Sequence, residues 1–218
     1  MRACHRHEGY VKRFSVELRI WLVWFVVCAA AAAICFAKID VHVVHRIWGV
    51  GRHLSSLSTA FGATVILAME STVVLSLVVA RLMRGHISRF AETLALACLA
   101  SICAYGINDQ VLKPFFGVEA PIAVVRGAKH TFNLAKGLAD GSFPSGHMVL
   151  AGAFAGVFMR LYRASVRPLS GLLLIAAGLL VVGAWHFVSD VIAGTFLGVS
   201  AGILAGEGWL AHVASRYG

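Results

Sequence analysis

The sequence predicts an all-α integral membrane bundle of about six transmembrane helices. Three observations carry that expectation. Of 218 residues, 59% are hydrophobic and only 13% charged, about half the charged share of a soluble domain. Mean hydropathy is +0.82. The apolar residues also gather into long runs, each near the roughly 20 residues of helix that cross a bilayer's hydrocarbon. Such runs with short connections leave no room for a separate water-soluble domain, so 1–218 reads as a single membrane domain.

Residues 1–19 are basic, with Arg2, Arg6, Lys12, Arg13 and Arg19, and lead into a first apolar run at 20–37. That run is long enough to span. No Ala-x-Ala site leads into a soluble sequence, so it reads as an uncleaved first helix and not a signal peptide. Residues 38–58 mix His, Arg, Trp and Ser and suit an interfacial segment. Further spans are expected at 60–80, 91–107, 144–160, 169–185 and 191–211. The longest polar connection is 108–143, and the turns at 81–89 and 160–167 are basic.

Six spans place both termini on one side. Twelve of the 19 Lys and Arg residues fall on that side, which excess marks as cytoplasmic in an inner-membrane protein. The segments 38–58, 108–143 and the turn near His186 then lie outside. The net charge of +9 fits contacts with anionic lipid, and no basic stripe interleaved with aromatics suggests nucleic acid. The five cysteines show no CxxC spacing and read as small buried apolar residues. Trp21, Trp24, Trp48, Trp185 and Trp209 fall near span ends, as in an aromatic belt. Glu70 and Glu207 lie within apolar runs, where helix–helix hydrogen bonding is the plain use for a carboxyl group. His42, His45, His53 and His130 read as interfacial, and no facing pair suggests a haem.

Three segments on the outer side carry chemistry. Phe143-Pro144-Ser145-Gly146-His147 opens the fourth span. Proline suits a first helical turn, and unpaired N–H groups of Ser145 and Gly146 at a helix N-terminus would stabilise an anion. His186-Phe187-Val188-Ser189-Asp190 joins the last two spans. On a helix, that four-residue spacing puts imidazole and carboxylate on one face. A carboxylate at one ring nitrogen fixes the tautomer and leaves the other free to attack. Lys113, directly after the third span, is either a phosphate-binding cation or a lysine snorkelling to the interface.

Together these segments resemble the type 2 phosphatidic acid phosphatases, which carry Lys-x6-Arg-Pro, Pro-Ser-Gly-His and Ser-Arg-x5-His-x3-Asp. The second is complete here as Pro144 to His147, the third keeps His186 and Asp190, and the first keeps Lys113 and Pro121. The resemblance covers the core at 60–211. It departs at Ala120, where the family has arginine, and at Leu179 and Leu180, where it has Ser-Arg. Two guanidinium clamps are therefore missing, each hydrogen bond to a charged group being worth about 1.5–3 kcal/mol. Arg126, Lys129 and Lys136 could restore charge, although Arg126 equally suits a solvated loop.

The resemblance implies a metal-independent phosphatase or phosphotransferase, without cofactor, acting on a lipid phosphate or diphosphate at the outer face. His186 would attack phosphorus and form a phosphohistidine, Asp190 would orient it, and His147 would protonate the leaving oxygen. Lys113, Ser145, Gly146 and Arg126 would hold phosphate. No carboxylate-rich or Cys/His cluster suggests a metal. The missing arginines keep a second reading open, an inactive relative that binds a lipid or a protein partner.

Overall fold

The computed structural model describes residues 2–54, 62–134 and 141–217, with side chains from residue 18 onward except at 52–54 and 217. Every regular element among them is helical. The order is α1 (Arg2–Lys38), α2 (Asp40–Leu54), α3 (Ala63–Arg84), α4 (Arg89–Ile107), α5 (Lys113–Phe116), α6 (Pro121–Val125), α7 (Gly146–Leu161), α8 (Val166–Val182) and α9 (Val188–Tyr217). Among the described residues, five segments are long and apolar enough to cross a membrane: Leu18–Lys38, Ala63–Arg84, Arg89–Val125, Arg163–Val182 and Val188–Arg216. The sixth expected span is α7, apolar between His147 and Arg160 but only 16 residues long. The chain is a multi-pass membrane bundle.

The boundaries follow local chemistry. Ser88 caps α4 by accepting the Ala91 N–H at 3.2 Å, which ends the basic turn between α3 and α4. Past Ile107, α4 widens into one π-helical turn (Asn108–Leu112) and runs directly into α5. The expected polar loop at 108–143 is therefore helical in its first part. Gly117 stops α5 with φ 56°. A Cβ there would lie 2.6 Å from the Asn133 carbonyl oxygen, so the close return of residue 133 requires glycine. Residues 40–54, expected as an interfacial segment, form α2.

The bundle's centre is the α7–α9 pair. Gly194 and Gly198 on α9 press directly on α7: an added Cβ would stand 2.5 Å from the Ser145 and Val149 carbonyl oxygens respectively. Small residues four apart let two helix backbones touch in a bilayer, where no hydrophobic effect drives helices together. Met148, Ala155, Leu173, Leu180 and Val191 fill the space between α7, α8 and α9. Trp21 on α1 donates its indole N–H to Ser200 Oγ on α9 at 3.0 Å. Large apolar side chains such as Leu75, Leu174 and Leu204 point outward, the inverse of a water-soluble surface and what a lipid solvent favours.

The two intramembrane glutamates separate in their use. Glu207 pairs with Arg160 across α9 and α7, as expected for helix–helix bonding. Glu70 is buried on α3 and its Oε2 has no hydrogen-bond partner among the described residues. Cys35 and Cys98 are buried free thiols, whereas Cys103 is exposed.

Candidate active site

One end of the bundle gathers the C-termini of α1, α4 and α8 and the N-termini of α2, α7 and α9. Arg81, Arg84, Arg89, Arg160, Arg167 and Arg216 belong to the opposite helix ends. All three chemistry-bearing segments meet at the first end.

The Pro-Ser-Gly-His segment is fixed from both sides. Ser145 caps α7, its Oγ accepting the Met148 N–H at 3.4 Å. Asn108 in the π-helical turn donates to the Pro144 carbonyl at 3.2 Å. The Ser145 N–H donates to the Asp190 carbonyl at 3.1 Å, which corrects the expectation that it is left for an anion. Pro144 likewise lies before the cap and not in the first turn. Gly146 is the residue that heads α7, where the helix itself offers its N–H no acceptor.

His186 does not sit on a helix, so the same-face argument for His186 and Asp190 is corrected as well. After Val182 the chain turns through Gly183–Phe187, with Ala184 in the left-handed region at φ 54°. The N–H groups of Trp185 and His186 both donate to the Leu180 carbonyl, at 3.0 and 3.3 Å. This turn swings the imidazole back over the start of α9, leaving His186 Nδ1 3.5 Å from Asp190 Oδ2. The same oxygen accepts the Phe187 N–H at 2.9 Å. A buried carboxylate thus caps the helix entry and faces the ring at once. On the far side of the ring, His186 Nε2 is 3.2 Å from His147 Nδ1. Carboxylate and two imidazoles form one line.

Lys113 completes the corner. Its Nζ is 3.1 Å from Asp109 Oδ1 and 5.8 Å from the centre of the Tyr105 ring. A Cβ on Gly146 would stand 3.6 Å from Lys113 Nζ and 2.8 Å from the Tyr105 ring. The ammonium therefore faces the start of α7, with its side chain only 14% exposed. Arg126 ends α6, exposed, and among the described residues no hydrogen bond or ion pair joins it to the histidines. Lys129 is exposed too, and Lys136 lies outside the described residues. Leu180 is buried beside the His186 turn while Leu179 points outward; Ala120 caps α6.

His130 has protein contacts that the interfacial reading did not foresee. Its ring lies between Phe36 and Phe187, with centroids 4.1 and 4.2 Å away, and its Nε2 is 3.3 Å from Asp40 Oδ2. His42 and His45 are exposed on α2, and the side chain of His53 lies outside the described residues. Asp40 also accepts from Ser189, at 2.5 Å from Oγ and 3.2 Å from the backbone N–H. Sequence reasoning passed over Asp40 and Ser189. The available signal was a carboxylate, among only ten acidic residues, at the edge of an apolar run. Among the described residues no three His, Cys, Asp or Glu side chains converge as metal ligands.

The sequence model of the PAP2 superfamily matches residues 93–209, more than half of the chain. The chain belongs to the PAP2 superfamily. Lys113, His147, His186 and Asp190 all lie inside the matched residues of this PAP2 protein, and Asp40 lies outside them. Among solved structures it is similar to the first transmembrane PAP2 type phosphatidylglycerolphosphate phosphatase from Bacillus subtilis. The TM-score is 0.54 at 16% identity, over 90% of this chain and 96% of that one. At that identity the likeness concerns the fold. No curated protein matches this PAP2 chain by sequence at a significant level.

Proposed function

We propose that this protein is a membrane lipid phosphatase or phosphotransferase that cleaves a lipid phosphate or diphosphate through a phosphohistidine on His186. The observation that carries the reading is the line from the Asp190 carboxylate through His186 to His147, with contacts of 3.5 and 3.2 Å. Asp190 Oδ2 stands 3.5 Å from His186 Nδ1, which has no hydrogen-bond partner among the described residues; a small closure of that gap on substrate binding would hold the Nδ1–H tautomer and stabilise positive charge as the ring reacts. Nε2 is then the nucleophile. A phosphoryl group entering between the two rings takes the place of their mutual hydrogen bond. His147 gives its proton to the leaving oxygen and afterwards takes one from the attacking water or acceptor. The Gly146 N–H, the Ser145 hydroxyl and Lys113 hold the equatorial oxygens, where charge stabilisation dominates phosphoryl transfer.

The arginine-bearing helix ends support a cytoplasmic location for that end of the bundle. The site then faces away from the cytoplasm, in an inner membrane. Membership of the PAP2 superfamily and the fold of a phosphatidylglycerolphosphate phosphatase both favour a lipid phosphate as substrate.

The test is phosphate release by detergent-purified protein over phosphatidate, phosphatidylglycerol phosphate, a polyprenyl diphosphate and lipid A, with chelator present and His186→Ala alongside. Release that survives chelation and vanishes in the variant is expected. No release from any of the four would favour the second reading, an inactive lipid- or partner-binding relative, which the apolar Leu180 and Ala120 motivate. Lys113→Ala should raise KM and lower kcat together, reducing kcat/KM by about 10- to 100-fold for the loss of one charge-assisted phosphate contact. A change below about twofold would return Lys113 to the snorkelling reading.

A further inference from the structure

The buried hydrogen bonds behind His186 are accepted by a residue outside the matched residues 93–209, Asp40. Asp40 opens α2 and is 1% exposed. A carboxylate there is costly unless donors surround it, and three do: Ser189 N–H, Ser189 Oγ–H and His130 Nε2. Two of those donors belong to Ser189, the residue directly before Asp190. The N–H groups at the head of α9 have no partners within their own helix. Asp190 takes that of Phe187, and Asp40 takes that of Ser189 from a separate helix.

The rest of α2 presses on the same turn. Val44 packs with Ala184 and Phe187. A Cβ on Gly51 would meet the Ala184 Cβ at 2.8 Å. Ala184 holds the left-handed φ that swings His186 toward Asp190, a conformation that persists only where its surroundings over-determine it. His130 completes the clamp by packing at a tilt against Phe187, ring centroids 4.2 Å apart.

We infer that Asp40 is a positioning residue for the reaction, fixing the His186–Asp190 pair by holding Ser189 through a bond network shared with His130. The inference rests on the reading of His186 as the reacting group. Asp40 touches neither histidine of the catalytic line. It sets the place of the Asp190 carboxylate, and through it the direction of the His186 ring.

The test uses the full chain in detergent, with Asp40→Asn and Ser189→Ala. Asparagine keeps the volume but turns an amide N–H toward Ser189 Oγ and His130, while alanine removes one hydroxyl and keeps the backbone bond. Two readouts are taken. The first is kcat and KM for the panel lipid that wild-type protein turns over fastest. The second is labelling of neutral imidazole by diethyl pyrocarbonate, followed by mass spectrometry at His186, with the exposed His212 as internal reference.

Both variants should lower kcat about tenfold or more with KM within about twofold, as for a misplaced but intact reacting group. The His186-to-His212 labelling ratio should shift at least about threefold, and the double variant should fall short of the sum of the singles. A kcat and a labelling ratio both within about twofold of wild type in Ser189→Ala and Asp40→Asn overturn the inference. So does a loss of activity with an unchanged labelling ratio. If Asp40→Asn does not fold, Ser189→Ala decides. If wild-type protein neither releases phosphate nor transfers it to an added lipid acceptor, the proposed function fails and the catalytic role of Asp40 falls with it; an unchanged His186 labelling ratio in both variants would separately refute the structural coupling of Asp40 to His186.

Discussion

His147→Ala should lose activity selectively, according to how badly the leaving group needs a proton. With a lipid phosphate, whose leaving oxygen departs as an alcohol, kcat should drop about 10²- to 10⁴-fold, the usual worth of a general acid. With an aryl phosphate, whose phenolate leaves unprotonated, the first step should slow by less than about tenfold. His147 also serves the second step by activating water. The variant should therefore release a burst of about one phenolate per protein and stall as phosphohistidine. His186→Ala should fail equally on both substrates, by about a thousandfold or more, because the nucleophile is gone. Rapid-quench phenolate release against total phosphate separates these cases. Equal loss on both substrates in His147→Ala would remove it from the acid role. Their 3.2 Å contact would then report only packing.

The second large effect is structural. Gly198→Ala should destabilise the bundle by about 1–3 kcal/mol, and Gly198→Val by more, because the added Cβ meets backbone that cannot swing away. The obstructing atom is the Val149 carbonyl oxygen, 2.5 Å from the built Cβ. Gly194→Ala should also damage catalysis, since the oxygen it meets belongs to Ser145, whose N–H is bonded to Asp190. Gly178 on α8 provides the contrast, with nothing within 4 Å of a built Cβ. Alanine there should be neutral or stabilising by up to about 1 kcal/mol. Thermal unfolding in one detergent orders the three. Equal midpoints for Gly178→Ala and Gly198→Ala would contradict the close α7–α9 contact.

The spans were legible because a bilayer makes composition and length nearly sufficient. Lys113, His147, His186 and Asp190 could be singled out as candidates because their segments keep a fixed order and spacing. The geometry joining them was not legible. Whether His186 reaches Asp190 by helical spacing or by a turn depends on the left-handed φ of Ala184, at a residue whose identity gives no hint of it. The Ser145 N–H looked available because its acceptor, the Asp190 carbonyl, lies 45 positions away in sequence. Asp40 and Ser189 are 149 residues apart, and His130 looked like one more interfacial histidine. Such pairings depend on where helices cross. Periodicity along one helix carries no record of that.

The length of α7 has a consequence for traffic through the site. Its 16 residues rise roughly 24 Å at 1.5 Å each, against about 30 Å of hydrocarbon. Were its basic end set at one boundary of the bilayer and its axis along the normal, its head, where His147 lies, would stop short of the other by about 6 Å. Cargo and by-product then part company. If the protein acts on a lipid phosphate as proposed, an anchored amphiphile would approach from the side with its tails in oil, and the dephosphorylated lipid would retreat by the same route. Orthophosphate, tailless, has only the short wet way up. Water-soluble esters must descend against that gradient, which makes membrane anchorage itself a selectivity filter ahead of any contact with the headgroup.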